Sequence, residues 1–262
     1  MICLKAFSSP LHLPTLRRLA PSSSSLRVAA AAMSSSAVAA PVEHIVLLKV
    51  RPEAVASGAA AAMVSTLQAL ATQVPGLAYI HAGPVLRLRS PAAEALGPTH
   101  LLHSRYATKQ DLATYAAHPA HVAAVQGHVL PNALDTTAID WVNAAELPSP
   151  VNPGSAVRLT LAKVKEGVEV AQLAEKVAAA TKAAGEAKGA KVSFGDNFSA
   201  RAKGYQFGMV AVFDSVEELD AVEGDGKVEE AKAAVRPLLD EVLVLDFVAE
   251  PAAGEAPTPA SL

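Results

Sequence analysis

Cysteine is almost absent from this chain. Its single copy, Cys3, stands near the start, so the body beyond it holds no disulfide, no thiolate nucleophile and no cysteine-type zinc site. Aromatic residues are also scarce, at 4% of 262 residues, whereas 51% are hydrophobic, much of that alanine. Such a chain can bury a sizeable core, but it must do so with small side chains on helix-rich elements. No run reaches the roughly 18–20 unbroken apolar residues of a membrane-crossing helix. Clusters of Lys and Arg are missing as well. Leaving out residues 1–42, 18 basic residues face 25 acidic ones, which argues against nucleic acid and membrane surfaces as partners.

The two ends differ from the body. Residues 1–42 carry Lys5, Arg17, Arg18 and Arg27, no acidic residue, and serine runs at 22–25 and 34–36. That composition reads as a disordered, transit-like leader addressed to plastids, with mitochondria as the alternative. Met33 could be a second start or lie near a cleavage point. Residues 249–262, rich in Ala, Pro and Glu, read as a disordered tail. Its end, Ala260-Ser261-Leu262, loosely resembles a peroxisomal tripeptide without the basic middle residue, so plastid and peroxisome stand as competing addresses.

What the body does contain is a repeat. His44-Ile-Val-Leu-Leu-Lys49-Val50 returns as Arg158-Leu-Thr-Leu-Ala-Lys163-Val164, and Gly97–Tyr106 runs parallel to Gly204–Phe213. The pair Thr108 and Asp111 recurs as Ser215 and Glu218, and Ile139-Asp140-Trp141-Val142 recurs as Leu245-Asp246-Phe247-Val248. Each copy, 43–143 and 156–248, reads strand, helix, strand, strand, helix, strand. The first copy has strands at 43–50, 77–83, 99–106 and 134–142, and a helix after Pro52 with an apolar stripe of Met63, Leu67, Leu70 and Val74. Residues 144–155, with three prolines, form the linker. A four-stranded sheet with helices on one face leaves the other face apolar. Two copies can cover each other there, sheet to sheet, within one chain.

Chemistry concentrates in residues 108–122. Thr108 can cap a helix, Leu112 and Tyr115 share one face of it, and Pro119 ends it at His118. The break aims His118 and His121 from a turn, and with Tyr115 they make a group able to handle protons. His121 could equally be a hydrogen-bonded residue holding the turn. His44, His100 and His121 are three imidazoles of the kind that hold zinc, but no carboxylate stands at a ligand spacing, and no metal is assigned. His81, His103 and His128 read as surface or packing residues, and Arg87 and Arg89 as part of a solvated loop.

These residues carry a resemblance. The His44-to-Val50 strand and Tyr115-Ala-Ala-His118-Pro119-Ala-His121-Val122 resemble the stress-responsive A/B barrel (Dabb) family, in the layout of its two-domain plant members. The resemblance implies an α+β fold: two tandem ferredoxin-like units pairing into a dimeric-type α+β barrel. One enzyme of the family, olivetolic acid cyclase, closes a ring on a linear polyketide thioester by aldol-type chemistry. By resemblance to it, His121 would be the general base and Tyr115 would hold the developing oxyanion, with His44 and His100 shaping the pocket and His118 beside them. No cofactor is implied. The second copy has lost the motif, reading Val222-Glu-Gly-Asp225-Gly-Lys227-Val228, and carries Arg158 and Phe207 in place of His44 and His100. Any chemistry in the first copy is therefore expected to be indifferent to the second.

Three function classes follow: an A/B barrel protein binding a small hydrophobic ligand in its first domain, a polyketide-cyclase-like enzyme, or a structural, chaperone-like scaffold. Intramolecular pairing of the two domains is expected in all three, and a homodimer of whole chains is compatible with each.

Overall fold

The computed structural model describes residues 40–145, 151–188 and 191–250. The leader up to residue 39, residues 146–150 of the linker, and residues 251–262 of the tail, including the C-terminal tripeptide, lie outside them. The body is slightly longer than its repeat suggests. Val42 already opens the first strand, and Ala249, fully buried, donates its N–H to Ser155 O at 2.9 Å.

The first copy comprises β1 (Val42–Val50), α1 (Pro52–Ala56), α2 (Ala59–Gln73), β2 (Leu77–Leu88), α3 (Pro91–Leu96), β3 (His100–Tyr106), α4 (Lys109–Ala117), α5 (Pro119–Ala124), α6 (Leu130–Asn132) and β4 (Ala133–Val142). A π-helical turn, Val125–Val129, joins α5 to α6. The second copy comprises β5 (Ala156–Val164), α7 (Val170–Lys188), β6 (Lys191–Asp196), β7 (Phe207–Phe213), α8 (Val216–Ala221), α9 (Gly226–Val235) and β8 (Leu239–Val248). Strand order is β4-β1-β3-β2 in one copy and β8-β5-β7-β6 in the other, the ferredoxin-like arrangement twice over.

The copies are joined edge to edge as well as face to face. β2 pairs with β8, and at the opposite seam β4 lies against β6, where Trp141 bridges to Asn197 and Ala144 N–H reaches Phe194 O at 2.8 Å. The eight strands thereby close into a barrel. Its interior is filled by Ile45, Leu47, Leu101, Leu159, Leu161, Val210 and Leu245, with Trp141 and Phe247 at the seams. Helices cover the outside, where α2 buries Met63, Leu67 and Leu70 against Leu48, Val50 and Leu102. Strands such as β1 are thus buried on both faces, and this is why they read as unbroken apolar runs rather than alternating ones.

One expectation is corrected. Residues 84–89 are not a solvated loop: β2 continues to Leu88, pairing Val85 with Phe247 and Leu88 with Leu245. Pro84, which lacks an N–H, hides that continuation in the sequence. Arg87 and Arg89 are tied to carboxylates. Arg87 donates to Asp220 at 2.7 Å, and Arg89 Nε to Asp246 at 2.7 Å.

Candidate functional site

The helix-facing side of the first sheet carries the candidate site. Thr108 accepts from Asp111 N–H at 3.1 Å and starts α4, which turns Leu112 and Tyr115 inward. Pro119 then forces His118 into extended geometry (φ −65°, ψ 135°) and leaves Ala116 O without its helical donor. Two side chains repair the break. His118 Nδ1 accepts from Ala120 N–H at 3.2 Å, and His121 Nδ1 lies 3.0 Å from Ala116 O. Because a carbonyl only accepts, His121 must carry its proton on Nδ1, leaving the lone pair on Nε2. Burial holds its pKa below the ordinary histidine value, with the neighbouring charges of His44, Arg201 and His118 adding to that and the bond to Ala116 opposing it.

The rings gather around Tyr115. Its centroid lies 4.4 Å from that of His121, 5.2 Å from Tyr106 and 6.2 Å from His44. Burial pushes both phenols well above their ordinary pKa, so both stay protonated. His44, on β1, faces Asp140 on β4 as its direct cross-strand partner, and Nδ1 meets Asp140 Oδ1 at 2.5 Å. A buried carboxylate bonded to one imidazole nitrogen orients the ring and leaves Nε2 for other work. A protonated phenol beside a neutral imidazole can donate to a carbonyl oxygen while the imidazole accepts a proton. That is the minimum for enolisation.

The structure brings Tyr115, His121 and His44 together. His100 is not with them. It sits four residues along β3 from Ser104, the partner of His44, hence about 13 Å away. There it bonds Thr99 Oγ1 at 3.0 Å. His118 serves the helix start. Asp140 and Tyr106 were missed, although the repeat contained the signal. The aspartate recurs as Asp246 while its cross-strand partner changes from His44 to Arg158, a basic side chain in both copies. In the second copy Arg158 Nε meets Asp246 at 2.8 Å and Phe213 and Val222 fill the tyrosine places, so the helix-facing site there is apolar and ion-paired. A hollow of about 360 Å³ lies elsewhere, beside Val170, Asn197 and Tyr205, and touches none of these rings.

His81 and His103, expected as surface or packing residues, lie buried on the barrel-facing side. His103 Nε2 meets Glu43 at 2.8 Å, Arg105 donates to the other Glu43 oxygen, and Tyr79 completes the cluster. Among the described residues no group of three or more His, Cys, Asp or Glu is arranged to hold a metal.

Two ferredoxin-like units closed into one barrel, with a polar ring cluster under the helices of only one of them, define the class as a tandem α+β barrel. Family comparison makes it specific: the stress-responsive A/B barrel domain matches residues 42–143 and again 156–249, and the chain belongs to that family. Two relatives from Arabidopsis thaliana, both described as stress-response A/B barrel domain-containing proteins, span most of its length. To one the chain is 38% identical over 212 residues, covering 79% of this chain and 78% of that one. To the other it is 33% identical over 210 residues, covering 79% and 95%. Among solved structures, an anthrone oxidase-like protein superposes with a TM-score of 0.58 at 13% identity, over 85% of this chain and 96% of that one, a likeness of fold alone.

Proposed function

We propose that this stress-response A/B barrel protein binds a small, largely apolar molecule in its first copy, between α4–α5 and the sheet. The observation that carries the reading is the gathering of His44, Tyr106, Tyr115 and His121 within one layer, with His121 Nε2 uncommitted. Tyr115 is 1% exposed, so a ligand enters by lifting the short helices, and the His118–Pro119 break supplies the hinge. His100 and His118 fall outside this contact set.

A second reading is favoured by the Asp140–His44 pair: aldol-type ring closure of a polyketide thioester. His121 Nε2 would take the proton α to a carbonyl, Tyr115 would donate to the oxyanion, and Asp140 would hold His44 in one orientation. Two variants separate the readings. In the binding reading, His121→Ala and Tyr115→Phe each weaken uptake of apolar ligands while the protein stays folded. In the cyclase reading His121→Ala lowers turnover by about 10²–10⁴-fold. If His121→Ala only lowers the melting temperature and uptake is unchanged, the scaffold role replaces both.

A further inference from the structure

The second copy reaches across the seam to the first-copy site. The stretch between β6 and β7, residues 197–206, runs along the outer edge of β4 and is bonded to it at three points. Asn197 Oδ1 accepts from Asp140 N–H at 3.0 Å, Phe198 N–H donates to Asp140 O at 2.8 Å, and Arg201 O accepts from Ala138 N–H at 3.2 Å. Asn197 Nδ2 also closes the loop on itself, donating to Ser199 O at 3.0 Å and Tyr205 O at 3.1 Å. The loop therefore grips the very residue that orients His44.

Its outward side forms a rim. Phe198 is 40% exposed, and Lys109, the first residue of α4, places its ammonium 4.1 Å from that ring's centre. Arg201 is exposed, and among the described residues no carboxylate pairs with it. On the β4 strand that the loop follows, Asp140 is held by His44 and Asp135 by Lys203. We infer that Arg201, a second-copy residue, anchors the anionic end of an amphipathic acid whose apolar body lies between Phe198 and the Tyr115 layer of the first copy. The inference rests on the binding reading above and deepens it by naming the ligand class. Two cations and an aromatic on this side of the site, with the β4 carboxylates Asp140 and Asp135 already engaged, favour an anion there over a neutral or cationic molecule. Arg201 is also one of the charges that help burial keep His121 neutral, so its field reaches the site.

Two fluorescent probes that share an arylaminonaphthalene body test this with the full chain. Anilinonaphthalene sulfonate carries the anion, and N-phenyl-1-naphthylamine is neutral; a shift of the His121 ring protons on titration reports occupancy of this site. The sulfonate is expected to bind more tightly, and Arg201→Gln should weaken it about fivefold, the worth of one solvent-accessible ion pair, while leaving the neutral probe unchanged. Arg201→Lys should recover part of the loss, and added salt should narrow the gap between the probes. Equal binding of both probes, with Arg201→Gln changing neither, overturns the anchor but leaves the pocket standing. Failure of both probes to shift His121 overturns the binding reading and the anchor together.

Discussion

Glu43 illustrates how much one residue can hold in place. Its carboxylate, fully buried at the barrel-facing side of β1, meets two Arg105 donors at 2.8 and 2.5 Å, His103 at 2.8 Å and Tyr79 at 3.2 Å. Burial alone would raise its pKa, but these bonds and charges overcome it and hold the group at about 2. Burial keeps His103 below the ordinary histidine value despite Glu43. Both groups therefore bind protons more readily in the unfolded chain, and stability must fall with acid. The His103 contribution is complete above the unfolded histidine pKa of about 6.5 and is lost as pH falls below it; that of Glu43 is complete above about 4.5 and fades toward 2. Melting curves should fall in two stages, the first beginning as pH drops below about 6.5 and the second below about 4.5. Glu43→Gln should flatten the lower stage and cost stability at pH 7, since Arg105 loses its counter-charge. A melting temperature independent of pH from 7 to 4 would contradict this assignment. Of this cluster nothing was legible in advance: a lone Glu, His and Arg on two strands reveal their convergence only once the register is known. By contrast, Tyr115 and His121 were legible, because six residues across a proline break fix their relation locally.

At the scale of elements, the seams show how strands from different copies are fitted. Trp141 of β4 lies over the bare backbone of β6 and β7, where Gly195 and Gly208 are register partners, and its indole N–H donates to Ser193 at 3.2 Å. At the other seam Phe247, its repeat counterpart, rests on Gly83 of β2. The two seams differ in tolerance. A Cβ on Gly208 would stand 2.5 Å from the Trp141 ring, whereas one on Gly83 would stand 3.6 Å from Phe247, an ordinary contact. Gly208→Ala should thus destabilise by about 1–3 kcal/mol and shift the emission of the chain's only tryptophan, while Gly83→Ala leaves both near the parent values. Equal, small effects at the two positions would show that the seam relaxes freely. The strand and helix order of both copies was readable from repeat and apolar pattern. The end of β2 was not, because its partner β8 lies far away in sequence and Pro84 masks the strand.

For the molecule as a whole, closure is mutual. Separated at the linker, each half would expose the barrel face of its sheet: Ile45, Leu47, Leu101 and Ile139 on one side, Leu159, Leu161, Val210 and Leu245 on the other. Fragments 40–145 and 151–250, expressed alone, should self-associate or precipitate, and should form a one-to-one complex when made together. Two soluble, mutually indifferent monomers in sedimentation would refute that. The repeat made the pairing legible, but not the strand exchange at its edges, since both β2–β8 and β4–β6 contacts depend on how twisted sheets meet.

The linker that joins the copies has a consequence in mass action. Barrels assembled from two separate chains come apart when diluted below their dissociation constant. Tethered through Ser155, which receives the Ala249 N–H, the halves here meet at a fixed local concentration of millimolar order, whatever the cellular supply. Fusion also removes the symmetry requirement. In a barrel of identical chains every substitution is made twice and each seam must tolerate it, whereas here one half carries Arg158 where the other has His44, and bonds its loop to the other half's Asp140. One gene product thus carries two surfaces free to change independently, and the basic residue opposite the recurring aspartate is where that freedom has been used.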